Sequence, residues 1–347
     1  MIQYENKRKG VMNKRNLFLT CSVVALSFFA NGANAKSMYA HNAGAININM
    51  LSAQMMDFAH YGENISDVIN KARQYGTMTR LDEYGDDGRR PIQTLLESTE
   101  SLGKLAWADF RYLNRDTKYN DNVTRRGRDY MATIGFNTKN IELPYGGISF
   151  GAFLGNITQD LFGVTSNGFA FGAFSRYKYS IFDVTGMINN GSLNKNTDTT
   201  MFNQSWLNAA VDTSLNISLN DVLYIRPRVY FGYTHVSDND DFGIINNGLA
   251  PKDFEFVNLI PSVEVYTRLD RDFYASVSAK YVSTDADGDR GVYVNNVLMD
   301  KTAPQNYAEF GLSLEYDYNS WVFTGGVRKQ FEGFDGWAGD VTVKYVF

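Results

Sequence analysis

The C-terminal residues constrain the fold of this chain more than any other segment, because they alternate between two chemically different faces. Read in steps of two, one face carries Trp337, Gly339, Val341, Val343, Tyr345 and Phe347, and the other carries Ala338, Asp340, Thr342, Lys344 and Val346. Side chains of a β-strand point alternately to opposite faces, so the pattern predicts a strand with one apolar side and one mostly polar side. A strand of about ten residues with aromatic residues at its ends can cross a bilayer. An edge strand of a soluble β-sandwich would show the same alternation.

The N-terminus has the three parts of a secretory signal peptide. Met12 to Arg15 form a basic region, Leu17 to Ala30 are mostly apolar, and Ala33 and Ala35 supply small residues at the cleavage positions. This arrangement predicts that the first part of the chain is removed on export and that the mature protein begins at Lys36. The extension before the basic region leaves two alternative start codons, Met1 and Met12.

The composition of the mature chain excludes several classes of protein. Cys21 is the only cysteine and lies in the signal peptide, so thiol catalysis and a disulfide framework are excluded. Removal of residues 1–35 takes away five bases and one acid, which changes the formal net charge from −5 to about −9. A chain this acidic is not expected to bind nucleic acid. No run of about eighteen apolar residues follows the signal peptide, so no helical membrane span is predicted.

Two parts of the mature chain differ in pattern. Residues 36–104 are polar and have partly helical periodicity, whereas residues 105–347 alternate like strands throughout. Pro91 is tolerated at a first helical position and Gly103 suits a helix end, so we predict a helix over residues 91–104. Its few large apolar side chains suit a polar cavity. Residues 36–90 would form a short, partly helical N-terminal segment, either a vestigial exported passenger or a plug.

Twelve strand-like segments follow in a chain that contains 22 Tyr, 24 Phe and 30 Gly. They are residues 105–116, 128–138, 145–157, 168–177, 179–190, 203–217, 222–236, 257–269, 271–284, 305–317, 320–331 and 337–347. The connections after odd-numbered strands are residues 117–127, 158–167, 191–202, 237–256, 285–304 and 332–336, and all but the last are longer than every connection after an even-numbered strand. Outer-membrane barrels have an even number of strands, long extracellular loops and short periplasmic turns. The sequence therefore favours an all-β transmembrane barrel of about 12 antiparallel strands over a soluble sandwich.

The end of the chain has a place in such a barrel. An even number of strands returns the C-terminus to the periplasmic side, where the barrel-assembly machinery reads a terminal aromatic strand. We assign this signal to Trp337, Val341, Val343, Tyr345 and Phe347. Pairing the last strand with the first would also remove the unpaired edges that are costly in lipid.

Four segments in order carry a resemblance to a known family. They are Trp107 to Arg111, Tyr179 to Asp183, Arg226 to Tyr233 and Gly336 to Phe347. Together with the preceding helix they resemble the translocator domain of monomeric autotransporters over residues 91–347. The resemblance implies a twelve-stranded barrel with its N-terminal helix threaded through the pore, exporting the segment upstream of that helix.

The sequence also departs from that family. Passengers of the family usually run to hundreds of residues, often as β-helical repeats, whereas only residues 36–90 are available here and they show no repeat. The predicted helix over residues 91–104 contains no Asn-Asn pair, so the self-cleavage of one branch of the family is not carried over.

Strand phase predicts which charged side chains face the lumen, since a charge that faces lipid near the midplane costs about 2–4 kcal/mol. The inward set is Asp109, Arg111, Asp183, Asp212, Arg226, Arg228, Glu264, Arg268, Lys280, Glu309, Glu315, Arg328, Asp340 and Lys344. These residues would form a cradle for the helix or a selective pore. The alternative is a lumen that is merely filled by side chains paired in salt bridges.

Evidence for enzymatic chemistry is weak. His235 is followed by several acidic residues at the end of the seventh predicted strand, but no second Asp-His pair accompanies it in the barrel, so we expect no enzymatic activity. The acidic segment Asp285 to Asp289 is similar to a calcium loop but lacks the glutamate that closes one. We expect no cofactor and no structural metal.

We therefore predict an outer-membrane barrel of the autotransporter type that translocates or displays its short N-terminal segment. A passive small porin or a structural surface barrel, plugged by residues 36–104, is the alternative, and an outer-membrane hydrolase is a minor one. The expected partners are outer-membrane lipid, lipopolysaccharide, the general secretion machinery and the barrel-assembly machinery. The barrel is expected to be a monomer.

Overall fold

Almost all of the described part of the chain is β-structure. The computed structural model describes residues 63, 65–67, 105–120, 123–161, 164–196, 201–220, 223–238, 249–251, 254–270, 272–288, 292–294, 297–299, 306–318, 320–332 and 334–346. The strands in chain order are β1 (Leu105–Asn120), β2 (Val123–Asn137), β3 (Ile141–Leu143), β4 (Gly146–Leu161), β5 (Val164–Tyr179), β6 (Phe182–Asn196), β7 (Met201–Leu215), β8 (Ile217–Ser218), β9 (Leu223–Asp238), β10 (Leu249–Pro251), β11 (Phe254–Asp270), β12 (Phe273–Gly288), β13 (Val292–Val294), β14 (Val297–Met299), β15 (Tyr307–Tyr318), β16 (Trp321–Glu332) and β17 (Phe334–Val346).

Twelve of these strands form one closed antiparallel barrel. Each long strand pairs with the next long strand in the chain, and β9 pairs with β11. The barrel closes where β1 pairs with β17, from Leu105 opposite Val346 to Thr117 opposite Phe334. Closure leaves no unpaired edge in the wall, which is the condition for a sheet to exist in lipid. The predicted all-β fold of about twelve antiparallel strands is confirmed.

Several strands extend further than predicted. Residues 117–127 were predicted as a loop, yet β1 continues to Asn120 and β2 begins at Val123. The loops predicted at residues 158–167 and 191–202 are likewise mostly strand. A hairpin that projects into water needs backbone pairing but no apolar face, so a polar sequence does not mark its end. Only the connections at residues 239–253 and 289–306 remain long, and we call their end of the barrel the loop end and the opposite end the turn end.

Alternation along each strand separates a lipid-compatible face from a lumen face. On β15 the buried and exposed positions alternate almost without interruption. The exposed set is Phe310, Leu312, Leu314, Tyr316 and Tyr318, and the opposite set is Tyr307, Glu309, Gly311, Ser313, Glu315 and Asp317. At the turn end, aromatic side chains from neighbouring strands pack together, with 4.7 Å between the ring centroids of Trp321 and Tyr345. This is the arrangement of an aromatic girdle at a membrane interface.

Towards the loop end, the outer face of β4 to β9 changes from apolar to polar. Cross-strand hydrogen bonds join Thr158 to Asn167 at 3.0 Å, Ser192 to Asn203 at 2.9 Å and Ser205 to Ser237 at 2.9 Å. None of these side chains is charged, and they stand above an apolar band that includes Phe171, Ile188 and Phe231. The apolar band therefore ends below the loop end on this side of the barrel.

Short strands from the two long connections form a second, separate sheet. β10 lies in the connection between β9 and β11, whereas β13 and β14 lie in the connection between β12 and β15. β10 pairs with β13 and β13 pairs with β14. No helix within the described ranges is long and apolar enough to cross a membrane.

Candidate functional site in the barrel lumen

All fourteen charged residues that strand phase assigned to the lumen lie on the inward face of the barrel. Ten are buried, and they are Asp109, Arg111, Asp183, Asp212, Arg226, Glu309, Glu315, Arg328, Asp340 and Lys344. The other four, Arg228, Glu264, Arg268 and Lys280, are partly buried. Because buried charges are stable only when they are paired and hydrogen-bonded, their partners define what the lumen can do.

The inward side chains of β9 give the order of layers along the lumen. Tyr224 and Arg226 belong to the turn end, Arg228 to the middle, and Thr234 and Val236 to the loop end. We use the names turn-end layer, middle layer and loop-end layer for these three levels. Their chemistry differs, and the middle layer holds the largest connected group of ions.

The middle layer contains four ion pairs, each between neighbouring strands. Arg228 Nε lies 2.9 and 2.7 Å from the two carboxylate oxygens of Asp212 on β7. Lys280 Nζ lies 3.1 Å from Glu309 directly across on β15. Arg328 on β16 pairs with Asp340 on β17, and its Nε lies 3.8 Å from Glu309 on β15. Each cation of the wall therefore has a carboxylate partner within the wall itself.

A short helical piece from the N-terminal segment enters this layer. Glu63 and Ile65 to Asp67 are helical and lie inside the barrel. Lys280 Nζ donates to Glu63 Oε1 at 2.8 Å, and the Ser66 hydroxyl donates to Asp212. The Asp67 side chain approaches more cations of the wall than Glu63 does.

Asp67 lies within reach of three cations from three different strands. Its carboxylate pairs with Arg228 on β9, and it lies 3.9 Å from both Lys280 Nζ on β12 and Arg328 Nη1 on β16. Three positive charges around one carboxylate strongly favour its ionised form and hold the helical piece in place.

The two faces of the helical piece match two kinds of wall. Glu63 and Asp67 are four residues apart and share one helix face, whereas Ile65 lies on the opposite face. Ile65 is fully buried and belongs to the apolar cluster that includes Met131, Phe153 and Phe174. The helical piece is thus held by charge on one side and by apolar packing on the other.

The turn-end layer combines stacked tyrosines with a further ion pair, between Lys344 and Glu315. The rings of Tyr224 and Tyr266 are stacked with centroids 4.6 Å apart. Glu315 accepts hydrogen bonds from Thr324 at 2.9 Å and from Lys344 at 3.3 Å. These groups lie at the end of the barrel where β17 terminates.

The remaining predicted charges also meet polar partners. Asp109 accepts from the Thr342 hydroxyl at 2.6 Å, and Asp183 pairs with Arg176. Arg111 lies opposite Asp340. Arg226 lies opposite Glu264 and donates a hydrogen bond to Ser214 at 3.1 Å. The Arg268 guanidinium lies 5.9 Å from the Tyr274 ring centroid.

The loop-end layer combines buried apolar residues, such as Trp206 and Val236, with neutral polar residues that bond to one another. Asn189 donates to Asn208 at 2.9 Å, and Asn208 donates to the Thr234 hydroxyl at 2.7 Å. The Thr284 hydroxyl donates to Asn258 at 2.8 Å. The ion pairs described above therefore belong to the middle and turn-end layers.

The weaker enzymatic and metal candidates lie outside the lumen. His235 is on the outer face, where its Nδ1 lies 3.4 Å from Glu255, and Asp285 and Asp287 are exposed on the same outer face of β12. No group of three or more His, Cys, Asp or Glu side chains in the described ranges is arranged to hold a metal ion.

Some predicted positions lie outside the described residues. These are the signal-cleavage residues Ala33, Ala35 and Lys36, the helix predicted over residues 91–104, and Phe347. Among the other residues of the proposed assembly signal, Trp337 and Val341 are exposed on the outer face and Val343 and Tyr345 are partly exposed there.

Sequence reasoning missed Glu63, Asp67 and Arg176. The acidic pair has a recognisable signal, since two carboxylates at helical spacing flank an isoleucine on the other face. The phase of β5 is harder to read because Phe171 faces outward and Phe174 faces inward.

Comparison with solved structures identifies similar barrels at low sequence identity. The translocator domain of the autotransporter NalP from Neisseria meningitidis matches with a TM-score of 0.56 at 12% identity, covering 85% of this chain and 98% of that one. The β-domain of the Bordetella autotransporter BrkA matches with a TM-score of 0.55 at 11% identity, covering 71% and 100%. An outer-membrane channel from Pseudomonas putida F1 matches with a TM-score of 0.50 at 10% identity, covering 73% and 98%.

In sequence, no protein-family model and no curated protein matches the chain. The structural matches therefore establish the fold. The chain folds as an outer-membrane β-barrel that is similar to autotransporter translocator domains and also to an outer-membrane channel.

Proposed function

We propose that this protein is an outer-membrane barrel that translocates or displays its own short N-terminal segment, residues 36–90. The observation that carries the proposal is the placement of Glu63 and Ile65 to Asp67 inside the lumen, bonded to four strands of the wall. A chain segment held inside a closed barrel is already on the path that joins the two ends of the pore.

The predicted export signal and the outer face support a route to the membrane. A cleavable signal ending at Ala35 would bring the chain to the periplasm through the general secretion machinery. The outward Trp337, Val341, Val343 and Tyr345 would then be read by the barrel-assembly machinery. Because β1 and β17 close the sheet, the wall is complete without a second copy, and we propose a monomer that contacts lipid and lipopolysaccharide.

Export of the N-terminal segment is tested with an epitope inserted directly after Lys36. On intact cells, added protease should remove this epitope if the N-terminus has crossed the membrane. A second epitope between Val294 and Val297, in the long connection at the loop end, is the control for surface access. Cleavage of the first epitope only after the outer membrane is permeabilised would contradict export.

A plugged passive porin is the second candidate function, because the same ion pairs hold the helical piece across the middle of the lumen. Purified protein is compared with a variant that lacks residues 37–90 in planar bilayers. A plug predicts low conductance in the full chain and a large increase in the deletion variant. An epitope protected on intact cells together with this increase would favour the porin over the translocator.

The minor hydrolase alternative depends on His235, which faces outward beside Glu255. An ester or peptide hydrolysis assay on the purified protein, compared with His235→Ala, tests it. Activity that is absent in both proteins would remove this alternative.

A further inference from the structure

We infer that the middle layer of the lumen is a binding site for a carboxylate group, and that Asp67 is its occupant within the same chain. The site consists of Arg228, Lys280 and Arg328. This inference rests on the placement of Asp67 and not on export of the segment, so it stands whether the barrel is a translocator or a porin.

The number of hydrogen-bond donors around Asp67 supports a site rather than a chance contact. Arginine offers five N–H donors and lysine three, so the carboxylates of the wall do not use all the donors of the three cations. Asp212, Glu309 and Asp340 supply those wall partners. The carboxylate of Asp67 takes a place between the three pairs, and its loss would leave donors pointing into the lumen.

Each of the three cations has a partner in the barrel wall, so the helical piece is not its sole support. Arg228, Lys280 and Arg328 come from β9, β12 and β16, and each is held by a pair to a neighbouring strand. A site on rigid strands with oriented partners is preorganised, so a ligand does not have to order it. Small solutes that carry a carboxylate group are therefore the ligand class that the site fits when Asp67 is absent.

Glu63 offers a matched comparison within the same helical piece. It is more deeply buried than Asp67, but among the described cations of the wall its carboxylate pairs with Lys280 alone, at 2.8 Å. Truncation of Glu63 should leave a site that binds a carboxylate more weakly than the site left by truncation of Asp67. One cation, instead of three, then faces the space left by the side chain.

The test is chemical rescue in planar bilayers with formate, which replaces the carboxylate lost in Asp67→Ala. We expect Asp67→Ala to conduct more than the full wild-type chain, and formate at constant ionic strength to lower that conductance, with chloride as the control anion. The apparent affinity for formate should fall roughly tenfold to a hundredfold when Arg228→Gln is added, since charge-assisted hydrogen bonds are lost. Glu63→Ala should respond at least several times more weakly than Asp67→Ala.

Equal responses to formate and chloride, or an undiminished response in the double variant, would overturn the inference. Asp67→Asn preserves the shape of the side chain, and it serves if Asp67→Ala does not yield folded barrel. In that variant the helical piece stays in place, but the three cations lose the negative charge between them. Thermal unfolding in detergent should therefore occur at lower temperature, and formate should have no effect because the amide still fills the site. Unfolding at the wild-type temperature in Asp67→Asn would also overturn the inference.

Discussion

The two sides of the lumen are built from different side chains although they belong to one continuous sheet. On β2, β4, β5 and β6 the middle of the inward face is mostly glycine and apolar residues, including Met131, Phe153, Phe174 and Met187. On β7, β9, β12, β15, β16 and β17 the same depth carries the ion pairs of the middle layer. We call these the apolar side and the charged side.

The two sides solve the same packing problem by opposite means. On the apolar side, large rings lie across glycines of the neighbouring strand: the ring of Phe153 lies over Gly172, and that of Trp107 over Gly135. The stability of this side depends on shape, because no space is left for a side chain at the glycine. On the charged side it depends on pairing, since every ion there is removed from bulk water.

The largest expected effect is on the apolar side, at Gly172→Val. A Cβ atom at this position would lie 2.5 Å from Phe153 Cζ and 2.6 Å from the carbonyl oxygen of Ile188, so a ring or the backbone must move. We expect at least about 3 kcal/mol of destabilisation and little folded barrel. Heat-modifiable migration on a denaturing gel, in which folded barrels run differently from unfolded ones, measures the folded fraction.

Gly325→Val is the matched control on the outer face of β16, where a new Cβ would meet nothing within 4 Å. It should fold normally, since an added apolar group there faces lipid. Equal loss of folded barrel in both variants would show that glycine matters for the strand backbone and not for ring packing.

The next effect is on the charged side, at Arg328→Gln. Removal of this cation leaves Asp340 buried and takes one positive charge from Glu309 and Asp67. Breaking a buried pair in this way costs about 3–5 kcal/mol, because the remaining carboxylate stays buried after losing the guanidinium that pairs with it. The urea midpoint of the purified protein in detergent micelles measures the change, and Arg268→Gln at the partly exposed turn end should shift it less.

The contrast between the sides also explains what could be predicted from sequence. The charged residues on β9 and β17 alternate with apolar ones, so their phase can be read directly. Phe153 and Gly172 give no such signal, because an aromatic residue or a glycine is compatible with either face. The position of Asp67 in the lumen was not predictable from sequence, because it depends on cations that lie on three strands distant in the chain.

A smaller effect is expected where the helical piece meets the apolar cluster, at Ile65→Ala. Loss of a fully buried isoleucine side chain usually costs about 2–5 kcal/mol, and here the loss weakens the docking of the helical piece and leaves the barrel folded. Conductance in planar bilayers should therefore rise while the urea midpoint changes little. Ile65→Leu, which conserves volume, should retain wild-type conductance, and a rise equal to that of Ile65→Ala would mean that shape at this position is not what holds the piece.

The smallest effect is expected for an ion pair just outside the wall. Lys329 follows Arg328 on β16 but faces outward, where it pairs with Asp335, whose side chain is 68% exposed. Exposed pairs contribute about 0–1 kcal/mol, because solvent screens them and the side chains lose freedom. Lys329→Gln should therefore shift the urea midpoint far less than Arg328→Gln, although the two cations are adjacent in the chain and both pair with β17. The 5.2 Å distance between Lys329 Nζ and the Trp337 ring centroid adds a weak attraction that is also lost. Equal shifts in the two variants would show that the side of the wall does not determine the strength of its ion pairs, and the distinction between lumen and outer surface would then lose its energetic basis.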